Sequence, residues 1–425
     1  MMSTEGKFKK ITTKIQLPPI WEAQNALSNR FYALGKYAST LLNDVENIQE
    51  YLKRHGIKYP KKGFLWMGED WTTLNAQPQG ISRHQTDEGN RMLAISWYNL
   101  AHKIEYKNDI CRVSLILNEG SRYKYINVVP TILTEDQGDI KAEVIRSHAG
   151  GLAILGNYLF LADSDLGHTD DEATGKKGGI RVFDLTEIYP LNNVVGNIAT
   201  KFSKDGTKVS VGVTEFIGGT MDSPFILPEI CHYEMSMPLT NPSVTKYTSF
   251  DFTSIDYTDI DHPKLLTGNF SRSGSPYPIN KPEQACLWGL TKVDNGYEIT
   301  SFEESINTHL ENNQGIIKYR DKLIISDSWA NKNTTRSIQV GNIVNENDNK
   351  VLNKNSIFKA EWAVGTEDLS YDVDSNEMWG LTEFSIDYAG DGNGRRFVYC
   401  CDFSKVYQMD IYNNARRYII YILQK

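Results

Sequence analysis

The chain has 425 residues, with 53 Asp and Glu against 45 Lys and Arg, for a net charge of −8. That balance excludes broad nucleic-acid binding, which needs a basic footprint. A composition 23% charged and 40% hydrophobic excludes a disordered chain, and no apolar run reaches the about 18 residues of a membrane span.

The N-terminal stretch MMSTEGKFKKITTKIQLPPI has no apolar h-region, so no conventional signal peptide is read from it. The cytosol is the default location, with signal-less export as the alternative. Residues 1–20 read as a polar arm. From about Trp21 to His55 the apolar positions Leu27, Phe31, Leu34, Ala38, Leu41, Val45, Ile48 and Leu52 form a heptad-like stripe, which predicts a long amphipathic helix ending at Gly56. Such a helix either lies on its own protein or docks a partner, an oligomer included. The expected division is 1–62, arm and helix, and 63–425, a β domain.

Beyond about Gly63, short apolar runs alternate with Gly, Asn, Asp and Ser clusters, the pattern of strands and turns. One phrase recurs: QGIS at 79–82, GGLA at 150–153, QGII at 314–317 and EDLS at 367–370. Each copy is followed by a second apolar run ending on a polar or aromatic residue, at Trp97, Asp163, Asp327 and Glu383. A strand–turn–strand unit repeated along one chain predicts a β-propeller. Five blades are expected, starting near Gln79, His148, 222, Gln314 and Glu367, with six as the alternative. The apolar run Tyr418–Leu423 is expected to close the ring.

In this topology the first strand starts, and the antiparallel second strand ends, at one mouth of a central channel. Gln79, His148, Gln314 and Glu367 lie at first-strand starts, and Trp97, Asp163, Asn269, Asp327 and Glu383 at second-strand ends. Convergent oxygen donors predict a site for calcium or another divalent cation on Asp163, Asn269, Asp327 and Glu367. The ligand-binding positions are Gln79, Trp97, Gln314 and Glu383. His148 with Asp163 or Glu367 is the candidate acid–base pair, His148 and Glu367 being the catalytic positions. No organic cofactor is expected, because no GxGxxG, Walker or GxSxG motif stands in its required context.

Weaker signals resolve to turns. Asp372, Asp374, Asn376 and Glu383 carry calcium-loop spacing, but Glu377 stands where the sharp turn needs Gly, so a hairpin is expected. DSDLGHTDDEAT (163–174) reads as an acidic insert and DYAGDGNGRR (387–396) as a strand connection. The five cysteines show no metal-finger spacing and read as reduced and buried.

PQGIS, ISWY, HAGGLA, YLFLAD, GIRVFDL, TEDLSYD, MWGLTEF and RRFVY, in this order, resemble a family of propeller-like secreted proteins common in actinobacteria, over about 78–403. The resemblance implies the fold but no reaction. A weaker likeness, to gluconolactonase- and paraoxonase-type propellers, implies a divalent ion held in the channel by residues such as Glu367, Asn269, Asp163 and Asp327. Three functions follow: a binding module offering a polar, acidic mouth to a small molecule, cation or protein partner; a metal-dependent hydrolase or lyase; or an assembly component docking through the N-terminal helix.

Overall fold

The structure, a computed structural model, describes residues 8–14, 39–41, 47–66, 70, 76–85, 91–99, 111–119, 122–136, 139–145, 147–163, 178–190, 198–200, 225–235, 250–270, 283–293, 296–327, 336–347, 349–384 and 396–411. It is mostly β. The N-terminal part holds β1 (Phe8–Thr12), β2 (Ser39–Leu41), a helix α1 (Ile48–Arg54) and β3 (Pro60–Leu65). Most of the expected helix at 21–55 falls outside the described residues. Where it is described, it is not one continuous helix: Ser39–Leu41 pairs as a strand with Tyr123–Tyr125, and Asn47 caps a separate short helix in a left-handed conformation. The stripe is divided because the Ser39–Leu41 backbone takes ladder hydrogen bonds to Tyr123–Tyr125, while the helix starts afresh at its Asn47 cap. Leu52 is fully buried against the strand that follows α1, so this part of the stripe covers its own protein.

Five four-stranded antiparallel meanders follow. The first is β4 (Ala76–Gln85), β5 (Arg91–Asn99), β6 (Cys111–Glu119) and β7 (Arg122–Asp136), extended by β8 (Asp139–Val144). The second is β9 (Leu152–Leu155), β10 (Tyr158–Asp163) and β11 (Gly179–Asp184), then, past the short β12 (Tyr189–Pro190) and β13 (Ile198–Thr200), β14 (Phe225–Met235). The third is β15 (Phe252–Asp256), β16 (Lys264–Gly268), β17 (Gln284–Val293) and β18 (Gly296–Asn307). The fourth is β19 (Asn313–Tyr319), β20 (Lys322–Asp327), β21 (Arg336–Glu346) and, after β22 (Asn349–Leu352), β23 (Phe358–Trp362). The last is β24 (Thr366–Asp372), β25 (Glu377–Thr382) and β26 (Phe397–Asp402), completed by β3 from the N-terminal end; α2 (Phe403–Tyr407) follows.

Two expectations are corrected here, the start of the third blade and the separation of the blades into individual sheets. The third blade, expected from 222, starts at β15, because β14 hydrogen-bonds β11 and belongs to the second meander. The fourth strand of the last meander is β3, which spans the expected boundary at 62/63; Tyr418–Leu423 lies outside the described residues. The meanders are also not five separate sheets. Parallel pairing of β7 with β14 and of β18 with β22 merges them into hydrogen-bonded sheets of 13, 9 and 4 strands. Outer strands this long project past their own meander, and unpaired edges find partners.

The first strands β4, β9, β15, β19 and β24 lie against one another in that order, and β24 returns to β4. Three copies of the repeated phrase put glycine where these strands come closest. A Cβ on Gly80 would stand 2.8 Å from the Gly151 Cα, and one on Gly315 2.6 Å from the Asp368 Cα. The repeat therefore records backbone approach at the centre of the ring. Its fourth copy carries Asp368 at the glycine position. The apolar cores fill the wedges between meanders, one of them around Phe64, Trp66, Ile95, Trp97, Trp379 and Val398. No described helix is long and apolar enough to cross a membrane.

Candidate functional site

The ring of first strands has one end at residues 77–79, 148–150, 251, 313–314 and 366–367. Asp368 pins it. Its side chain is fully buried and accepts from the Leu369 amide at 2.8 Å and the Ile81 amide at 3.1 Å, with the Leu152 amide as a third donor. Ile81 and Leu152 immediately follow Gly80 and Gly151. The carboxyl lies against Gly315, where a Cβ would stand 2.6 Å from its Oδ1, and ties three first strands at one level. Burial pushes its pKa well above the usual carboxylate range, against the three amide donors.

Directly above that level, Gln79, Glu367 and Glu383 meet. Glu383 hydrogen-bonds both Glu367 and Gln79. Burial raises the pKa of Glu383. Two carboxyl groups in contact disfavour ionisation of both. Glu367 and Gln79 are each 2% exposed, whereas Glu383 keeps an accessible face. Arg396 supports the pair from behind. Its guanidinium donates to the Glu383 carbonyl at 2.9 Å and to the Asp70 carbonyl at 2.6 Å. Burial lowers its pKa to about 10, which leaves it cationic at neutral pH.

His148 lies at the same end, partly accessible, with its ring 4.1 Å from that of Tyr98. Tyr98 donates to Gln77 at 2.6 Å. Ser96 fastens this side of the mouth, accepting from the Gly80 amide at 2.9 Å and donating to the Ala149 carbonyl at 2.7 Å. Gln314, next to Gly315, and Asn269, next to the Phe270 amide that donates to Asp251 at 2.7 Å, lie on the same rim.

The other sequence-predicted positions point elsewhere. Trp97 is fully buried between meanders, donating to Ser114 at 2.9 Å, with the Arg112 guanidinium 4.2 Å from its ring centre. Asp163 is bound by Arg181 at 2.6 Å, in a network that Arg181 extends to Glu229 and Glu229 to His232. Asp327 accepts from Ser337 and Gln339 and pairs with Lys359 at 2.8 Å. These second-strand carboxylates face cations on the third and fourth strands of their own meanders. Asp163 and Asp327 are thus engaged by cations of their own meanders, and among the described residues no three His, Cys, Asp or Glu side chains form a metal-holding group. The calcium-loop spacing at 372–383 is a hairpin, Asp372 pairing with Glu377 and Asn376 taking the left-handed turn position. All five cysteines are free and buried.

Sequence reasoning missed Arg396, Tyr98, Gln77 and Asp368. Asp368 was signalled by the replacement of glycine in the fourth copy of the phrase. Arg396 carried no signal, since it enters the site from the end of a long connection.

No protein-family model matches the chain, and no curated protein does. Among solved structures it is similar to a GH43_1 enzyme from Xanthomonas citri complexed with xylotriose, with 10% identity over 83% of this chain and 91% of that one and a TM-score of 0.34. It is similar also to Zg3597, a family 117 glycoside hydrolase from Zobellia galactanivorans, with 11% identity over 82% and 91% and a TM-score of 0.36. A third is fructan 1-exohydrolase IIa from Cichorium intybus, with 10% identity, a TM-score of 0.33, and 80% of this chain against 57% of that one. Scores of this size carry neither a shared fold nor an activity to this chain.

Proposed function

We propose that the five meanders are the blades of a five-bladed propeller, and that its mouth at the first-strand starts hydrolyses a small, uncharged ester or lactone. The observation that carries this reading is the hydrogen-bonded contact of Glu383 with Glu367 and Gln79. Carboxyls in direct contact are closer than the about 5 Å separating acid and nucleophile in a retaining glycosidase. They form instead a proton-sharing dyad. The ionised oxygen of the dyad takes a proton from water, whose oxygen attacks the substrate carbonyl carbon. The protonated carboxyl gives its proton to the carbonyl oxygen. Collapse of the tetrahedral adduct breaks the acyl–oxygen bond, the departing oxygen takes a proton from the carboxyl that received the water's, and the second proton returns to the dyad. Gln314 and His148, both partly accessible, supply amide and imidazole groups for substrate hydroxyls, while Gln79 holds the dyad. Arg396 acts as a positioning residue through the Glu383 backbone.

The test is hydrolysis of nitrophenyl esters, sugar lactones and aryl glycosides by the wild-type protein and by Glu383→Gln and Glu367→Gln. Ester or lactone turnover lost in both folded variants supports the dyad. Turnover unaffected by either variant overturns it. The second reading, a binding module without turnover, is favoured by the bond from Gln79, which satisfies the dyad in place. It is the outcome if sugar lactones shift the melting temperature but are not cleaved.

A further inference from the structure

The first strands also end together. β9 stops at Leu155, β15 at Asp256 and β24 at Asp372, and a cavity of about 430 Å³ opens between the residues that follow. The fully buried level of Asp368 separates it from the dyad mouth. Tyr257 and Tyr297 form aromatic walls, and Ile260, 60% exposed, overhangs the opening on the β15–β16 loop. Asp374 and Asp261 both border the cavity, both are exposed, and neither side chain has a partner among the described residues.

We propose that this cavity binds a primary ammonium group carried on an aromatic or alkyl body. The volume lies in the about 300–1,000 Å³ range of small-molecule sites. Two unpaired carboxylates on one opening repel, and a cation between them removes the repulsion. Tyrosine faces attract an ammonium group and bury the apolar body attached to it. The same charge field acts on Tyr257, whose hydroxyl is held above its ordinary range by burial first and then by Asp372 and Asp374. Lys292 is the one cation of the lining whose side chain has no partner among the described residues, since His262 pairs with Asp259 at 3.1 Å. Lys292 distinguishes two sources of the same chemistry: a simple amine, or an amino acid whose carboxylate it would hold.

Calorimetric titration of the full chain with phenethylamine, 2-phenylethanol and phenylalanine tests the proposal. Phenethylamine binds saturably with a Kd of about 1 mM or below, and the uncharged alcohol binds at least about tenfold more weakly, the value of one lost charge-assisted contact. The pair Asp261→Asn and Asp374→Asn lowers phenethylamine affinity by about the same factor, with the unfolding midpoint unchanged because both positions are exposed. Phenylalanine tighter than phenethylamine identifies amino acids, and weaker identifies simple amines; either supports the site. Equal binding of amine and alcohol, no saturable binding, or a double variant that binds like wild type overturns it. Should the double variant fold poorly, loss of phenethylamine affinity with rising salt in the wild type carries the same test.

Discussion

Asp368→Asn separates two forces that the structure sets against each other. The side chain is fully buried and joins β4, β9 and β24 through backbone amides. In the variant, Oδ1 still accepts from Leu369, but the amide nitrogen meets the Ile81 N–H, donor against donor. One buried donor left unsatisfied costs about 1–3 kcal/mol at every pH. The second force depends on pH. Burial raises the folded-state pKa of Asp368 above the unfolded value of about 4. Between the two values the folded protein holds a proton that the unfolded chain has released, so this contribution to stability is full below about pH 4 and declines by about 1.4 kcal/mol for each pH unit of rise, up to the folded pKa. Asparagine cannot titrate. Urea unfolding of both proteins at pH 4, 5 and 6 should therefore show the variant less stable by about 1–3 kcal/mol at the acid end, with the gap closing as pH rises toward the folded pKa. All other groups titrate alike in the two proteins and cancel. A gap that stays constant across this range refutes the reasoning: the three amide donors would then outweigh burial and keep the carboxyl ionised throughout.

Three further outcomes follow from the site and its support. Hydrolysis should fall as pH rises through the raised pKa of Glu383, because the dyad loses its shared proton; a pH–rate profile with no alkaline limb counts against the dyad. Arg396→Lys keeps the charge but cannot span the Asp70 and Glu383 carbonyls together, and should lower stability by about 2 kcal/mol in thermal unfolding. Asp163→Asn breaks a buried pair with Arg181 and should cost about 3–5 kcal/mol, while calcium changes the melting temperatures of variant and wild type equally; a calcium shift present only in the wild type restores Asp163 as a cation ligand.

The amino-acid sequence determined most of what depends on local pattern. Short apolar runs bounded by turn residues placed β5, β10, β20 and β25, because a strand buried on both faces is a continuous apolar segment of neighbours in the chain. The repeated Gly80, Gly151 and Gly315 marked the first strands, since only the smallest residue tolerates backbones this close. The ends of the chain were another matter: β3 completes the last meander across more than three hundred residues, and Ser39–Leu41, inside the expected helix, is taken up as a strand against β7. The carboxylates were decided by register. Asp163, Asp327 and Glu383 end equivalent strands, yet Arg181 and Lys359 draw the first two into their own meanders while Glu383 turns to Glu367. Which cation stands opposite a carboxylate is set by strand pairing between distant segments, and a charge takes the partner that tertiary structure brings within about 4 Å rather than the one its sequence position suggests.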